Sequence, residues 1–162
     1  NYANNYYLND KYPMVEINTK SGAKFNWEFK NGTYGLSGTE YSRFLNDLLI
    51  LHEKSNALGN NFGKHSVIAG DCRKTIPKFF KNNPNEIVAL AFIDVNSYLP
   101  TKVAFEEIWK KLIPGGVMAF WQLTRDVIPA EGKVFNDLIS KKINFELKSA
   151  KTYPGLCYII KH

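Results

Sequence analysis

Three polar residues stand where apolar, strand-like runs end: Asp71 after His65–Ala69, Asp94 after Ile87–Ile93, and Gln122 after Val117–Trp121. In an open α/β sheet, ligands bind in the crevice beyond the carboxyl ends of the strands. A carboxylate placed there can take a proton from a substrate hydroxyl or hold a hard cation. Asp94 opens the segment Asp94-Val95-Asn96-Ser97-Tyr98 and is the leading candidate. Its alternative role is a cap for the helix that Pro100 opens. Asp71 either accepts hydrogen bonds from a ligand amine or caps the helix beginning near Arg73. Trp121 either stacks on a ligand or packs as a buried aromatic.

Other chemistry finds little support in the chain. His52, His65 and His162 have no metal-pair spacing and read as surface or boundary residues. No GxSxG elbow occurs, so a hydrolase triad cannot be assembled. Cys72 and Cys157 lack CxxC spacing, which leaves reduced thiols of a cytoplasmic protein as the expectation. The net charge is +6, but only three arginines contribute and the lysines are scattered. That pattern describes a solvated surface better than a nucleic-acid face. No apolar run approaches the roughly 18 residues of a membrane span.

The elements that must position these residues follow from periodicity. The first 35 residues are irregular apart from two alternating runs, Met14–Asn18 and Lys24–Lys30, which a turn at Thr19–Gly22 can join as a hairpin. From Leu36 a domain running to His162 is expected. Ser37 or Thr39 caps a helix to about Lys54, with Tyr41, Phe44, Leu45, Leu48 and Leu51 along one face. A strand at His65–Ala69, a helix at Lys74–Lys81 and a strand at Ile87–Ile93 come next. The last is continuously apolar, the pattern of a strand covered on both faces. A helix from Pro100 ends at Pro114-Gly115-Gly116, a strand spans Val117–Trp121, and a helix spans Pro129–Ser140. Strands at Asn144–Lys148 and Leu156–Ile160 close the chain as an antiparallel edge. The alternation predicts an α/β fold with a mostly parallel sheet.

Several ordered segments carry a resemblance: Gly70-Asp71-Cys72-Arg73-Lys74-Thr75-Ile76-Pro77, Ala89–Tyr98 with Leu99-Pro100-Thr101-Lys102, and Leu112-Ile113-Pro114-Gly115-Gly116-Val117. Together with Pro129–Lys133 and Gly155–Lys161, they make the chain similar to class I S-adenosylmethionine-dependent methyltransferases, and most to the macrocin O-methyltransferase family. The similarity runs from about Gly32 to the end. It implies a Rossmann-like sheet with a reversed last strand, and methyl transfer from S-adenosylmethionine to a hydroxyl of a sugar or glycosylated small molecule. It implies Asp94 as general base, Gly70 and Asp71 as cofactor contacts, and Tyr98, Trp121 and Gln122 as groups on the substrate side.

The resemblance also implies a magnesium ion, with Asp94 as a ligand. Yet Asn96 stands in place of a second acid, and Trp121-Gln122 in place of an acid pair. An indole and neutral amides remove most of the charge that holds a hard cation. No strand–GxG–helix unit precedes Leu36, where such enzymes grip the cofactor. Without the strands that belong there, the run at His65 has no neighbour facing Ile87–Ile93. The expectation is then a fragment with sequence missing upstream, a sheet rebuilt from residues 12–30, or completion by a partner chain. A non-catalytic module serving homo-oligomerisation or partner binding is the alternative to an enzyme.

Overall fold

The computed structural model describes residues 14–18, 24–28, 38–55, 63–95, 97–121, 123–124, 130–139, 141, 143–153 and 155–162. These fall into two compact units, one within residues 30–71 and one formed by the described parts of 1–29 and 72–162. Among the described residues no helix is long and apolar enough to cross a membrane.

In the smaller unit, α1 spans Gly38–Ser55. Its predicted apolar stripe is present in sequence but stays open to solvent, with Tyr41, Phe44, Leu48 and Leu51 all exposed. The strand expected at His65–Ala69 is not formed. A strand needs a ladder partner for its backbone N–H and C=O groups, and none pairs with this segment among the described residues. The segment is tied to α1 instead. The Glu53 carboxylate accepts the backbone N–H groups of Gly63 and Lys64, each at 2.7 Å. His65 reaches Glu53 Oε1 through Nδ1 at 2.8 Å and Asn46 Oδ1 through Nε2 at 3.2 Å.

The bond from His65, with help from the two backbone donors, lowers the Glu53 pKa to about 2. A carboxylate depressed on folding stabilises the fold above its unfolded value and loses that contribution as pH falls through its folded one. The tie is therefore expected to hold at neutral pH and to fail between about pH 4.5 and pH 2. An NMR titration of the Glu53 side chain checks this, and a midpoint near 4.5 would contradict it.

In the larger unit, β1 (Met14–Asn18) and β2 (Lys24–Glu28) form the expected antiparallel hairpin, with Met14 opposite Glu28 and Asn18 opposite Lys24. The remaining elements are α2 (Cys72–Asn82), β3 (Val88–Ile93), α3 (Tyr98–Lys111), β4 (Leu112–Phe120), α4 (Ala130–Ile139), β5 (Phe145–Ser149) and β6 (Cys157–Lys161). The sheet order is β3-β4-β6-β5. β3 and β4 are parallel and joined through α3, while β6 runs antiparallel to both β4 and β5. Three strands thus share one direction, and the reversed β6 belongs to an antiparallel pair at the sheet's carboxyl-terminal edge. The fold is α/β, with an open, mostly parallel sheet.

Alternation along the strands sends Ile93, Met118, Phe120 and Ile159 to one face, where Phe105 of α3 and Val134, Phe135 and Leu138 of α4 cover them. The Phe120 ring lies 6.1 Å from Phe105 and 6.5 Å from Phe135, so one side chain joins both helices to the sheet. Lys161 closes the far end of α3: its Nζ donates to the carbonyls of Trp109 and Leu112 at 2.9 and 2.8 Å. It also lies 5.2 Å above the Trp109 ring.

Two expectations need correction here. Pro114-Gly115-Gly116 does not separate helix from strand, because β4 starts at Leu112 and contains it. The register jumps from Val88–Leu112 to Leu90–Val117, so the surplus residues of β4 bulge out of the ladder. Nor is β3 covered on both faces. Ala91 and Ile93 are buried, but Leu90 is 69% and Phe92 57% exposed. Among the described residues β3 is the edge strand of its sheet, and these two side chains of its second face stay open.

Candidate functional site

The carboxyl ends of β3 and β4 meet at a single point. Ile93 lies opposite Phe120 in the ladder, and the Trp121 backbone N–H donates to the Ile93 carbonyl at 3.1 Å. This bond sets Asp94, the next residue of one strand, beside Trp121, the next residue of the other. Asp94 is exposed. Trp121 is 37% exposed and thus not the buried aromatic that its sequence setting also allowed.

Two further aromatics join Trp121. Its ring lies 6.0 Å from that of Phe92 on β3 and 4.9 Å from that of Tyr153, in the β5–β6 connection. Because Phe120 pairs with Cys157 and Cys157 with Ser149, this connection lies at the same end of the sheet as Asp94. Phe92 and Tyr153 were not singled out from the sequence. Alternation along β3 could have suggested Phe92; Tyr153 required the β5–β6 pairing. An open strip of three rings beside a carboxylate can take the apolar face of a ring-shaped ligand while the acid meets its hydroxyls.

The other predicted residues are placed differently. Tyr98 begins α3, and its hydroxyl donates to Asp137 Oδ2 of α4 at 2.6 Å. Lys133 also pairs with Asp137. Lys133 first, and then Tyr98, hold the Asp137 carboxyl below its ordinary pKa. A cleft of about 200 Å³ lies there, lined by Tyr98, Lys102, Val134, Asp137, Leu138 and Lys141. Gln122 lies outside the described residues. Gly70 and Asp71 belong to the smaller unit. Gly70 has a φ of 133°, in the region that favours glycine, and Asp71 immediately precedes α2. Burial raises the pKa of the Cys157 thiol.

The donor set does not fit a resident magnesium ion. Among the described residues, no three His, Cys, Asp or Glu side chains converge to hold a metal. Next to Asp94 stands an indole, which offers no oxygen ligand. Between β2 and α1 lie Gly32 and Gly35, and Gly38 opens the helix. A strand, spaced glycines and a helix thus follow one another in chain order.

Three solved structures similar to this chain are methyltransferases. The crystal structure of CalS11, calicheamicin methyltransferase, superposes with a TM-score of 0.65 at 28% identity, covering 74% of this chain and 46% of that one. The apo structure of CalS11, there described as a TDP-rhamnose 3′-O-methyltransferase of calicheamicin biosynthesis, gives 0.66 at 28% identity, covering 75% and 52%. The fold is a methyltransferase fold. The O-methyltransferase NovP gives 0.56 at 16% identity, covering 78% and 45%, a likeness of fold alone. The chain spans about half the length of these structures. No protein-family profile and no curated protein sequence matches it.

Proposed function

We propose that the chain belongs to an S-adenosylmethionine-dependent O-methyltransferase acting on a sugar hydroxyl, akin to the macrocin O-methyltransferases. The observation carrying this reading is the bond from the Trp121 N–H to the Ile93 carbonyl, which brings the residues ending β3 and β4 together, in a fold shared with a TDP-rhamnose O-methyltransferase. Bound S-adenosylmethionine supplies a methyl group on a sulfonium, open to attack by an oxygen nucleophile. Asp94 accepts the proton of the acceptor hydroxyl as that oxygen attacks. Trp121, flanked by Phe92 and Tyr153, stacks on the sugar ring and orients the hydroxyl for in-line attack. Gly70 and Asp71 would contact the cofactor, with the Asp71 carboxylate serving as an acceptor for its adenine amine. Proximity, orientation and one base account for the step, and no metal is invoked.

The acceptor contact makes a kinetic prediction. Trp121→Ala is expected to raise the KM for a nucleotide-sugar acceptor about tenfold, the loss of one aromatic contact. The KM for the cofactor should not move. The activity itself is tested with methyl-labelled S-adenosylmethionine and TDP-rhamnose, followed by mass spectrometry of the sugar. Label in the sugar supports the reading; none in TDP-rhamnose, in other nucleotide sugars or in simple rhamnosides would sink it.

A second reading is favoured by the exposed Leu90 and Phe92 on β3: a methyltransferase-fold module that binds a second copy or another protein through this edge. Sedimentation separates the two. A stable dimer dissociated by Leu90→Lys, in a chain that ignores the cofactor, would favour the module.

A further inference from the structure

Glu131 is the one charged side chain buried among the described residues, at 0% exposed, and the proposed methyl transfer makes no use of it. It lies in the first turn of α4. Burying a carboxylate is costly unless hydrogen bonds replace its water. Here its Oε1 accepts the backbone N–H of Val95 at 3.4 Å, across thirty-six positions of sequence. Val95 is the residue after Asp94. Ser97, which precedes α3, makes no side-chain cap bond.

A second feature presses α4 into the same place. A Cβ on Gly132 would lie 2.6 Å from the backbone carbonyl of Leu123, two residues beyond Trp121. Only glycine lets the first turn of α4 approach that closely. The amino end of α4 is thus held against the chain leaving β3, through Glu131, and against the chain leaving β4, through Gly132. These are the two strand ends that carry Asp94 and Trp121.

We propose that Glu131 is the positioning residue of this site: its buried carboxylate fixes Val95 and, with it, the adjoining Asp94. The catalytic consequence rests on the methyl-transfer reading; the structural tie does not. The full chain is compared with Glu131→Gln, which keeps a carbonyl acceptor, and Glu131→Met, which keeps the length but has none. Gly132→Ala is the third variant and displaces the turn without touching the carboxylate.

Amide hydrogen exchange at Val95 should stay slow in Glu131→Gln and quicken about tenfold or more in Glu131→Met and Gly132→Ala. With TDP-rhamnose as acceptor, kcat should fall about 10- to 100-fold in Glu131→Met, at an unchanged KM for the cofactor, and recover in Glu131→Gln. Unchanged Val95 exchange in a folded Glu131→Met or Gly132→Ala variant would overturn the proposal. A wild-type chain that transfers no methyl group would overturn the functional reading alone, while Val95 exchange still decides the role of Glu131.

Discussion

Asp94→Asn is expected to abolish methyl transfer while leaving the fold and the affinity for S-adenosylhomocysteine intact. Asparagine keeps the shape of the side chain but cannot accept a proton from the acceptor hydroxyl. Loss of a positioned general base lowers the rate about 10²- to 10⁴-fold. The effect should fall on kcat, since Asp94 is exposed at a strand end and holds up no part of the core. Single-turnover transfer of a labelled methyl group measures it. A variant with wild-type turnover would assign Asp94 to a different role, such as the turn ahead of α3.

The largest effect on stability is expected at Phe120. It is 0% exposed and touches the rings of both Phe105 and Phe135. Truncating a buried Phe to Ala removes its transfer free energy and leaves a cavity, at a cost of about 3–5 kcal/mol. In a chain of this size that lowers the thermal midpoint by roughly 10 °C. Phe120 also precedes Trp121 and lies opposite Ile93, so the loosened strand end should raise the acceptor KM in the same variant. Calorimetric melting of Phe120→Ala decides the first point. A shift of only a degree or two would mean that the sheet is not held to α3 and α4 through this ring.

The sequence made the parallel part of the fold legible where burial imposes a pattern. α3, β4 and α4 are read from apolar spacing because each turns a face to one core. β5 and β6 match the two short strands expected at Asn144–Lys148 and Leu156–Ile160. Reading failed where the outcome depends on neighbours rather than on the segment. His65–Ala69 is as apolar as a strand, yet it forms none, because a strand is made by its partner. The continuous apolar run of β3 suggested cover on both faces, whereas Leu90 and Phe92 lie open.

The same limit applies to the site. Asp94 and Trp121 were found as strand-end residues, and the ladder brings them together. Glu131 stands in Pro129–Lys133, a segment of the resemblance, but carries no role there, because nothing local marks a carboxylate that will be buried against a backbone amide thirty-six residues away. His65 read as a boundary residue for a similar reason. Its partners Glu53 and Asn46 lie on α1, and sequence spacing does not reveal such a contact.

The most direct test of the central claim is calorimetric titration of the full 162-residue chain with S-adenosylhomocysteine, with and without magnesium. The account predicts saturable binding that magnesium does not change, since Asp94 stands beside an indole rather than among acids. Absence of heat and of any thermal shift would contradict it, leaving the chain as a methyltransferase fold without a methyltransferase's cofactor.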